Sequence, residues 1–272
     1  MQISSKTDKG VVRTNNEDSL LAITPWNSSA ISKKACLFLV ADGMGGQNAG
    51  EVASKIAVDF ANRWFEEKDF KEINTNLVEE LINSANEKVW DYSRQHPETT
   101  GMGTTFTTIL IKDNKAIIGH IGDSRIYRLR NDVVTQLTND HSIVGEQVRL
   151  GKLTPDQARV HPARGILSKV LGARQFIKAD IFETEIKLND EFVLCTDGIY
   201  SMIESNKIDL LIKSTSPENL ANILVDTSNN AGGNDNSTVI AFKLNELPIE
   251  YPSKFSITRL VKLLNNYFVN KN

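Results

Sequence analysis

Four aspartates stand where hydrophobic strands are predicted to end, and their spacing could gather carboxylates into one site. They are Asp42 in LFLVADGMGG, Asp123 in AIIGHIGDSR, Asp197 in EFVLCTDGIY and Asp235 in GGNDNSTVIAF. A single Asp in such a place is more often a turn residue or a helix cap than a ligand. Four of them, drawn from distant segments, predict an acidic cluster that repels itself unless cations neutralise it. Oxygen-only ligands favour Mg²⁺ or Mn²⁺, so the sequence indicates a metal-dependent enzyme.

The elements that must position these carboxylates alternate along the chain in groups. Strands are predicted over 18–24, 35–41, 103–111, 115–121, 125–129, 176–188, 191–196 and 237–243, and helices over 51–67, 76–96, 205–214 and 217–229. Because strands come in groups and helices in pairs, the order favours mainly antiparallel sheet over βαβ units. We therefore predict an α+β fold, a four-layer αββα sandwich of two mainly antiparallel sheets flanked by helix pairs.

Composition narrows the class of protein. The chain has 272 residues, 40% of them hydrophobic and 24% charged, which is ordinary for a globular protein. The net charge of −3 argues against a dedicated nucleic-acid binder. No apolar run reaches the ~18 residues of a membrane span, and the polar N-terminus lacks the apolar stretch of a signal peptide. We expect a cytoplasmic protein.

The two cysteines and the C-terminal segment each leave two interpretations open. Cys36 and Cys195 fall inside predicted strands, which favours reduced core thiols, although Cys195 could instead be a reactive thiol beside Asp197.

Residues 246–272 form a tail after a domain of residues 1–245. Its apolar stripe predicts an amphipathic helix docked on the domain, with a partner- or membrane-surface helix as the alternative.

Eight segments, in order, resemble the bacterial PP2C-type (PPM) metal-dependent protein serine/threonine phosphatases. They are GVVRTNNED, LFLVADGMGGQNAGEVAS, GMGTTFTTIL, GHIGDSRIYRLR, QLTNDHSIV, HPARGILSKVLG, VLCTDGIYSMI and NDNSTVIAF. They run from residue 10 to about residue 242, so the resemblance covers the whole chain except the tail. Each segment alone is a weak signal, but their shared order argues strongly against coincidence.

The resemblance implies hydrolysis of phosphoserine or phosphothreonine by direct attack of a hydroxide that bridges two ions, Mn²⁺ or Mg²⁺. Asp42 would bridge the two metals, and the Gly43 carbonyl would be a further ligand. The remaining positions that match the family's metal shell are Glu17 on the second metal, Asp197 and Asp235 on the first, and Asp123 with Asp197 at a third, weaker site. Asp18 would support these ligands from behind, without touching a metal.

Arg13 matches the family's phosphate-binding arginine, four residues before Glu17. Its planar guanidinium can hold two phosphate oxygens at once. The loop after Asp42 departs from the family, since Met44 and Gln47 stand where related members carry histidines. The leaving-group proton would then come from water or from another residue. His141 and His161 are candidates, although a structural role is the simpler interpretation of both.

A polar excursion over about residues 140–172 corresponds to the family's flap, a subdomain beside the active site that is expected to help choose substrates. Arg149, Arg159 and Arg164 could meet an acidic or phosphorylated partner there, or form a solvated helix face. The expected partners are phosphoprotein substrates, including a serine/threonine kinase or its targets, and no nucleic acid. We expect a monomer without a transmembrane segment.

Two other functions remain open at this stage. The first is a catalytically silent sensor or scaffold, which the loss of a metal carboxylate would mark, yet Glu17, Asp42, Asp197 and Asp235 are all present. The second is another metal-dependent phosphoester hydrolase such as a nuclease. The acidic balance of the chain and its lack of a basic groove signature speak against a nuclease.

Overall fold

The computed structural model describes residues 1–24, 35–45 and 49–245. The tail predicted over 246–272 and the loop residues Gly46 and Gln47 lie outside the described residues. No helix in the described part of the chain is long and apolar enough to cross a membrane.

Strands and helices alternate in the predicted groups. In chain order the elements are β1 (Gln2–Asp8), β2 (Asp18–Ile23), β3 (Ala35–Met44), α1 (Ala49–Glu67), α2 (Thr75–Gln95), β4 (Gly103–Thr104), β5 (Phe106–Lys112), β6 (Lys115–Ile121), β7 (Arg125–Arg130), β8 (Val133–Gln136), α3 (Ile143–Arg149), α4 (Pro155–Arg159), β9 (Asp180–Glu185), β10 (Glu191–Cys195), α5 (Asp197–Tyr200), α6 (Ser205–Ser214), α7 (Pro217–Asn230) and β11 (Ser237–Lys243).

The strands form two antiparallel sheets. The first has the order β1-β11-β10-β7-β8, and the second has the order β2-β3-β5-β6-β9 with β4 added beside β3. The inner faces of both sheets share one core, in which Phe242 stacks on Phe38 of the opposite sheet at 4.0 Å between ring centroids. Strand side chains alternate between faces, so Leu37 and Leu39 point the other way, toward the helices.

Helices cover the outer face of each sheet. Helices α1 and α2 pack on the β2-β3-β5-β6-β9 sheet through Ala57, Leu81 and their apolar neighbours. Helices α6 and α7 pack on the other sheet through Ile212, Leu224 and theirs. Strand β3 is therefore buried on both faces, which explains its nearly continuous apolar sequence. The four-layer αββα sandwich predicted from the sequence is confirmed.

Several boundaries differ from the prediction for physical reasons. The predicted strand over 103–111 is split at Thr105, whose backbone N–H and hydroxyl bond to Asp42. The strand predicted over 176–188 is only β9, Asp180–Glu185, and Phe176 before it is 83% exposed. Edge strand β8 was not predicted because its short sequence, VVTQ, lies mostly at the surface. The single turn of α5 is too short to leave a periodic pattern.

The excursion after β8 contains α3 and α4 and is tied to the sandwich at both ends. The His141 N–H donates to the Gly122 carbonyl at 2.7 Å, and Leu171, near the far end of the excursion, pairs with Thr104. The side chain of Asn86 on α2 accepts from the Gly172 N–H at 2.8 Å. These anchors hold the excursion against the end of β6, next to Asp123.

We expect Phe242→Ala to destabilise the domain strongly, because Phe242 stacks on both Phe38 and Phe192 where the two sheets meet. The free energy of unfolding in urea should fall by about 3–5 kcal/mol, the usual result of truncating a buried aromatic. Phe176→Ala is the matched control, since its ring is 83% exposed, and it should change stability by less than about 0.5 kcal/mol. Equal losses in both variants would contradict this account of the core.

Candidate active site

The ends of five strands place the predicted aspartates along one edge of the sandwich. Asp18 and Asp42 are directly opposite each other in the β2–β3 ladder. Asp197 follows β10 as the first residue of α5, Asp235 precedes β11, and Asp123 follows β6. Since β10 and β11 are neighbours in one sheet while β2, β3 and β6 belong to the other, both sheets contribute to the cluster.

The backbone of Asp42 is held by two threonines. The Asp42 N–H donates to Thr105 Oγ1 at 2.8 Å, and the Asp42 carbonyl accepts from the Thr105 N–H at 2.8 Å and from Thr104 Oγ1 at 3.0 Å. Both threonines are buried, as expected of strand core. Their hydroxyls do more than fill space, because they bond both backbone groups of Asp42 and so fix its position near the end of β3. In the sequence, the only indication of this role was the pair of threonines in GMGTTFTTIL.

Asp18 lies behind Asp42, and only one of its two carboxylate oxygens is hydrogen-bonded. Thr196 Oγ1 donates to Asp18 Oδ2 at 2.8 Å, whereas Asp18 Oδ1 is buried without a hydrogen-bond partner among the described residues. Burial, reinforced by the charges of Asp235 and Glu17 and opposed by the threonine hydrogen bonds, raises the pKa of Asp18 to about 7. A buried acceptor left without a partner is costly, so this oxygen requires a donor from outside the described residues, such as a water molecule.

The other carboxyls raise one another's pKa in the same way. Burial, followed by the charges of Asp18, Asp197, Asp123 and Asp235, raises the pKa of Asp42 well above its usual range. Burial and the neighbouring charge of Asp235 raise the pKa of Asp197 to about 7. Burial and the charge of Asp197 likewise raise the pKa of Asp123. The structure thus brings these five predicted aspartates into one mutually repelling group.

Glycines let Glu17 and the Asp42 loop approach closely. The Gly43 N–H donates to the Glu17 carbonyl at 3.1 Å, and Ser54 Oγ donates to the same carbonyl at 2.6 Å. A Cβ on Gly43 would lie 2.1 Å from the Gly50 carbonyl oxygen, and a Cβ on Gly50 would lie 2.8 Å from Glu17 Cδ. Any side chain at either position would push the loop apart. Gly50 was missed by the sequence reasoning, although it lies inside the quoted GGQNAGEVAS segment.

Arg13 stands at the solvent side of the cluster. Its Nη2 donates to Asp235 Oδ2 at 2.8 Å, its Nε donates to the Asn234 carbonyl at 3.4 Å, and its side chain is half exposed. Asn236, which was not predicted, ties this region together. Its Oδ1 accepts from the Glu17 N–H at 2.8 Å, while its Nδ2 donates to the carbonyls of Lys9 and Asn15.

Asp123 is supported by residues that the sequence reasoning also missed. Tyr200 of α5 donates its hydroxyl to Asp123 Oδ2 at 2.9 Å. The guanidinium of Arg125 lies 3.5 Å from the centre of the Tyr200 ring and forms a two-pronged ion pair with Asp140, at 2.7 Å from Nη2 to Oδ2. All three lie in the quoted motifs GDSRIY, TDGIY and TNDH, which were the available signal.

No histidine among the described residues contacts the carboxylate cluster directly. His141 Nδ1 accepts from the Gly122 N–H at 3.2 Å, and its Nε2 lies 3.1 Å from Asp180 Oδ2. His161 Nδ1 accepts from the Ala163 N–H at 3.1 Å within the excursion. Both have structural partners. Met44, which replaces a family histidine, is 38% exposed and offers no titratable proton.

Cys195 is an inert core residue. It is 1% exposed, and burial raises the pKa of its thiol to about 12. A thiol in such an environment stays protonated at neutral pH and does not act as a nucleophile. Cys36 is buried in the same manner, with its pKa also raised to about 12 by burial.

The residues present fit hard divalent cations. The donors are oxygens throughout, the buried Asp18 oxygen lacks a partner, and the glycine contacts leave room for close approach of the backbone. Among the described residues, no three acidic, histidine or cysteine side chains close around a single point tightly enough to hold an ion by themselves. Mg²⁺ usually keeps several waters in its shell, so water would complete the shells of ions held here.

A cluster of buried carboxylates at the strand ends of an antiparallel αββα sandwich fits a metal-dependent hydrolase. The family model described as "Protein phosphatase 2C" matches residues 12–236. The chain therefore belongs to the protein phosphatase 2C family, and it is a protein serine/threonine phosphatase.

Relatives and solved structures agree with this assignment. Protein phosphatase PhpP of Streptococcus pneumoniae is 37% identical over 253 residues, covering 90% of this chain and 98% of the relative. The crystal structure of the Mycobacterium tuberculosis serine/threonine phosphatase PstP/Ppp superposes with a TM-score of 0.80 at 30% identity, covering 90% of this chain and 99% of that one. The catalytic domain of PstP in complex with 2 manganese ions superposes with a TM-score of 0.78 at 28% identity, covering 89% and 98%.

The carboxylate cluster predicts an unusual pH dependence of stability in EDTA. Asp18 and Asp197 have pKa values raised to about 7, so the folded state binds their protons more tightly than the unfolded state does. The two protonated carboxyls therefore add to the free energy of unfolding. Their contribution is complete below about pH 4 and is lost as pH rises through about 7, at up to ~1.4 kcal/mol per pH unit for each group.

The measurement is the melting temperature from pH 4 to pH 8, in EDTA and in Mn²⁺. Mn²⁺ should remove most of the decline, because a cation stabilises the ionised carboxylates. Asp18→Asn should flatten the EDTA curve, whereas Asp226→Asn, at an exposed position on α7, should leave it unchanged. Curves that are the same in EDTA and in Mn²⁺ would rule out a cation site at the cluster.

Proposed function

We propose that this phosphatase removes phosphate from phosphoserine and phosphothreonine with the help of two Mn²⁺ or Mg²⁺ ions, and that it opposes a bacterial serine/threonine kinase. The supporting observation is the group of five buried or half-buried aspartates with Arg13 at its solvent side. Asp42 and the Gly43 carbonyl, with Glu17, Asp197 and Asp235, would hold the two ions. Asp123 with Asp197 would hold a third, and Asp18 would support them.

The cations, when bound, supply charge neutralisation and a water whose pKa is lowered toward neutrality. The chain itself holds the carboxylates in position. The Thr104 and Thr105 hydroxyls fix Asp42, the Thr196 hydroxyl fixes Asp18, and the Tyr200 hydroxyl fixes Asp123. Phosphoryl transfer depends mainly on such positioning and on charge neutralisation, because the protein makes no covalent bond to phosphorus.

Arg13 would bind the phosphate. Its Nη2 already contacts a carboxylate of the cluster at 2.8 Å, yet the side chain is half exposed, so its remaining donors face the solvent through which a substrate arrives. A guanidinium can hold two phosphate oxygens in one plane and thereby orient the phosphorus toward the cluster. Lysine offers a single point charge and would lose this orientation.

The broader setting follows from the same site. We propose residues 1–245 as one phosphatase domain, with the excursion over about 140–172 as its flap. A silent scaffold is disfavoured because every carboxylate of the proposed shell is present and lies at the cluster. The buried, unpaired cysteines suit a reducing compartment such as the cytoplasm.

The first test is hydrolysis of p-nitrophenyl phosphate by the purified chain with Mn²⁺, Mg²⁺ or EDTA. We expect turnover with either ion, none in EDTA, and a loss of at least ~100-fold in Asp197→Asn, because that change removes a proposed ligand of two ions. Asp226→Asn is the control and should retain full activity. A folded, metal-loaded wild-type protein without turnover would favour the silent scaffold instead.

A second test addresses Arg13. Arg13→Lys should lower kcat/KM for a phosphothreonine peptide by roughly 10- to 100-fold, the size expected when a charge-assisted, two-pronged hydrogen bond is lost. Arg94→Lys, at an exposed position on α2, is the matched control and should be neutral. Steady-state kinetics at saturating Mn²⁺ measure both. If Arg13→Lys matches the wild type, phosphate binding must be assigned to another residue.

A further inference from the structure

A cavity of about 210 Å³ lies between the flap and the carboxylate edge. Its inner wall includes Asp123 and Asp197, and its outer wall is formed by α3 and α4 of the flap. The volume is far larger than one water needs. The cavity therefore adjoins the place where the phosphorylated residue would bind, and it is large enough to take a neighbouring side chain of the same substrate.

Four arginines line this cavity, and they differ in how their charge is used. Arg125 is neutralised by Asp140, with 2.7 Å from Nη2 to Oδ2. Arg149 is neutralised by Glu146, with Nε donating to Oε2 at 2.8 Å. These two guanidinium groups already hold a carboxylate in hydrogen-bonding geometry. Arg164 also lines the cavity, at an exposed position.

Arg159 is different, because its donors are poorly satisfied within the described part of the chain. Its Nε is buried and makes no hydrogen bond there, and its Nη1 reaches only the Ser201 carbonyl, at 3.4 Å. The two nearest carboxylates, Asp156 and Glu204, lie 3.8 Å and 4.0 Å away, beyond hydrogen-bond distance. A buried charged donor without an acceptor is costly, so the position is suited to an acceptor brought by a ligand.

We propose that this cavity is a subsite for an acidic group of the substrate, a carboxylate or a second phosphate, with Arg159 as its main ligand. The proposal rests on the proposed phosphoprotein phosphatase function and names its preferred substrates. Both acidic groups match the planar donors of a guanidinium. Because extended chain advances by ~3.3–3.6 Å per residue, the acidic group lies within a few residues of the phosphorylated one.

The experiment compares phosphothreonine peptides that are otherwise alanine and glycine. One arm carries a glutamate, and the other carries a non-hydrolysable phosphonate analogue of phosphoserine, each placed in turn at the positions nearest the phosphothreonine. The wild type should prefer at least one acidic placement over alanine by about tenfold in kcat/KM, the size of one charge-assisted interaction. The arm that shows the larger preference identifies the natural acidic group.

Arg159→Gln should abolish this preference while leaving p-nitrophenyl phosphate hydrolysis unchanged, since that substrate carries nothing to reach the cavity. Arg149→Gln is the matched control, a flap arginine that Glu146 already neutralises, and it should keep the preference. Glu204→Gln removes a carboxylate near Arg159 and should keep or increase the preference.

The outcomes separate the subsite from the enzyme function. No acidic preference in an active wild type, or a preference that survives in Arg159→Gln, would overturn the subsite and leave the phosphatase function intact. Loss of p-nitrophenyl phosphate hydrolysis in Arg159→Gln would also overturn it, because Arg159 would then act by placing the flap. Failure of the wild type with every substrate would instead count against the proposed function.

Discussion

The mutual repulsion of buried carboxylates is the constraint on which the rest of this structure depends. Asp18, Asp42, Asp123 and Asp197 would separate if they lay on mobile loops, because each raises the free energy of the others when ionised. They stay together because each one lies in or next to the end of a strand that is locked in the core of the sandwich. The stable core therefore supports a local arrangement that is unfavourable until cations bind.

The side chains that hold the cluster in place are mostly neutral. Hydroxyl groups of threonine and tyrosine donate to the aspartates or hold their backbone, and the Asn236 amide joins the N-terminal loop to the start of β11. Neutral donors of this kind fix the direction of a carboxylate without cancelling its charge, which a lysine or arginine in the same place would do. The charge of the cluster is thereby kept for cations, and Arg13 is the exception at its solvent edge.

The excursion over about residues 140–172 joins this arrangement through polar contacts and through Leu171, which is buried in the core beneath α1 and α2. Its ends are tied to the sheet by His141 and by the Leu171 pairing with Thr104, and α4 reaches α5 through Arg159 and the Ser201 carbonyl. Helix α5 also carries Asp197 and Tyr200, so the surface that meets the flap and the surface that holds the cluster belong to one short element. This continuity would place a substrate group in the cavity close to the phosphate at the cluster.

The sequence by itself determined the sandwich and most of the cluster, because strand periodicity and strand-end aspartates are local signals. Strand β6 and helix α6 were predicted to the residue, and Asp42, Asp123 and Asp197 were singled out from their place after apolar runs. Only the tertiary structure decided which partners hold them. Tyr200 donates a hydrogen bond to Asp123, which lies 77 positions earlier in the chain, and Asn236 accepts one from Glu17, which lies 219 positions earlier. No local sequence pattern specifies a contact over such separations. The unsatisfied donor of Arg159 was equally invisible. Arg149 and Arg159 look alike in sequence, and only folding decides that Arg149 meets a carboxylate at hydrogen-bond distance whereas Arg159 does not.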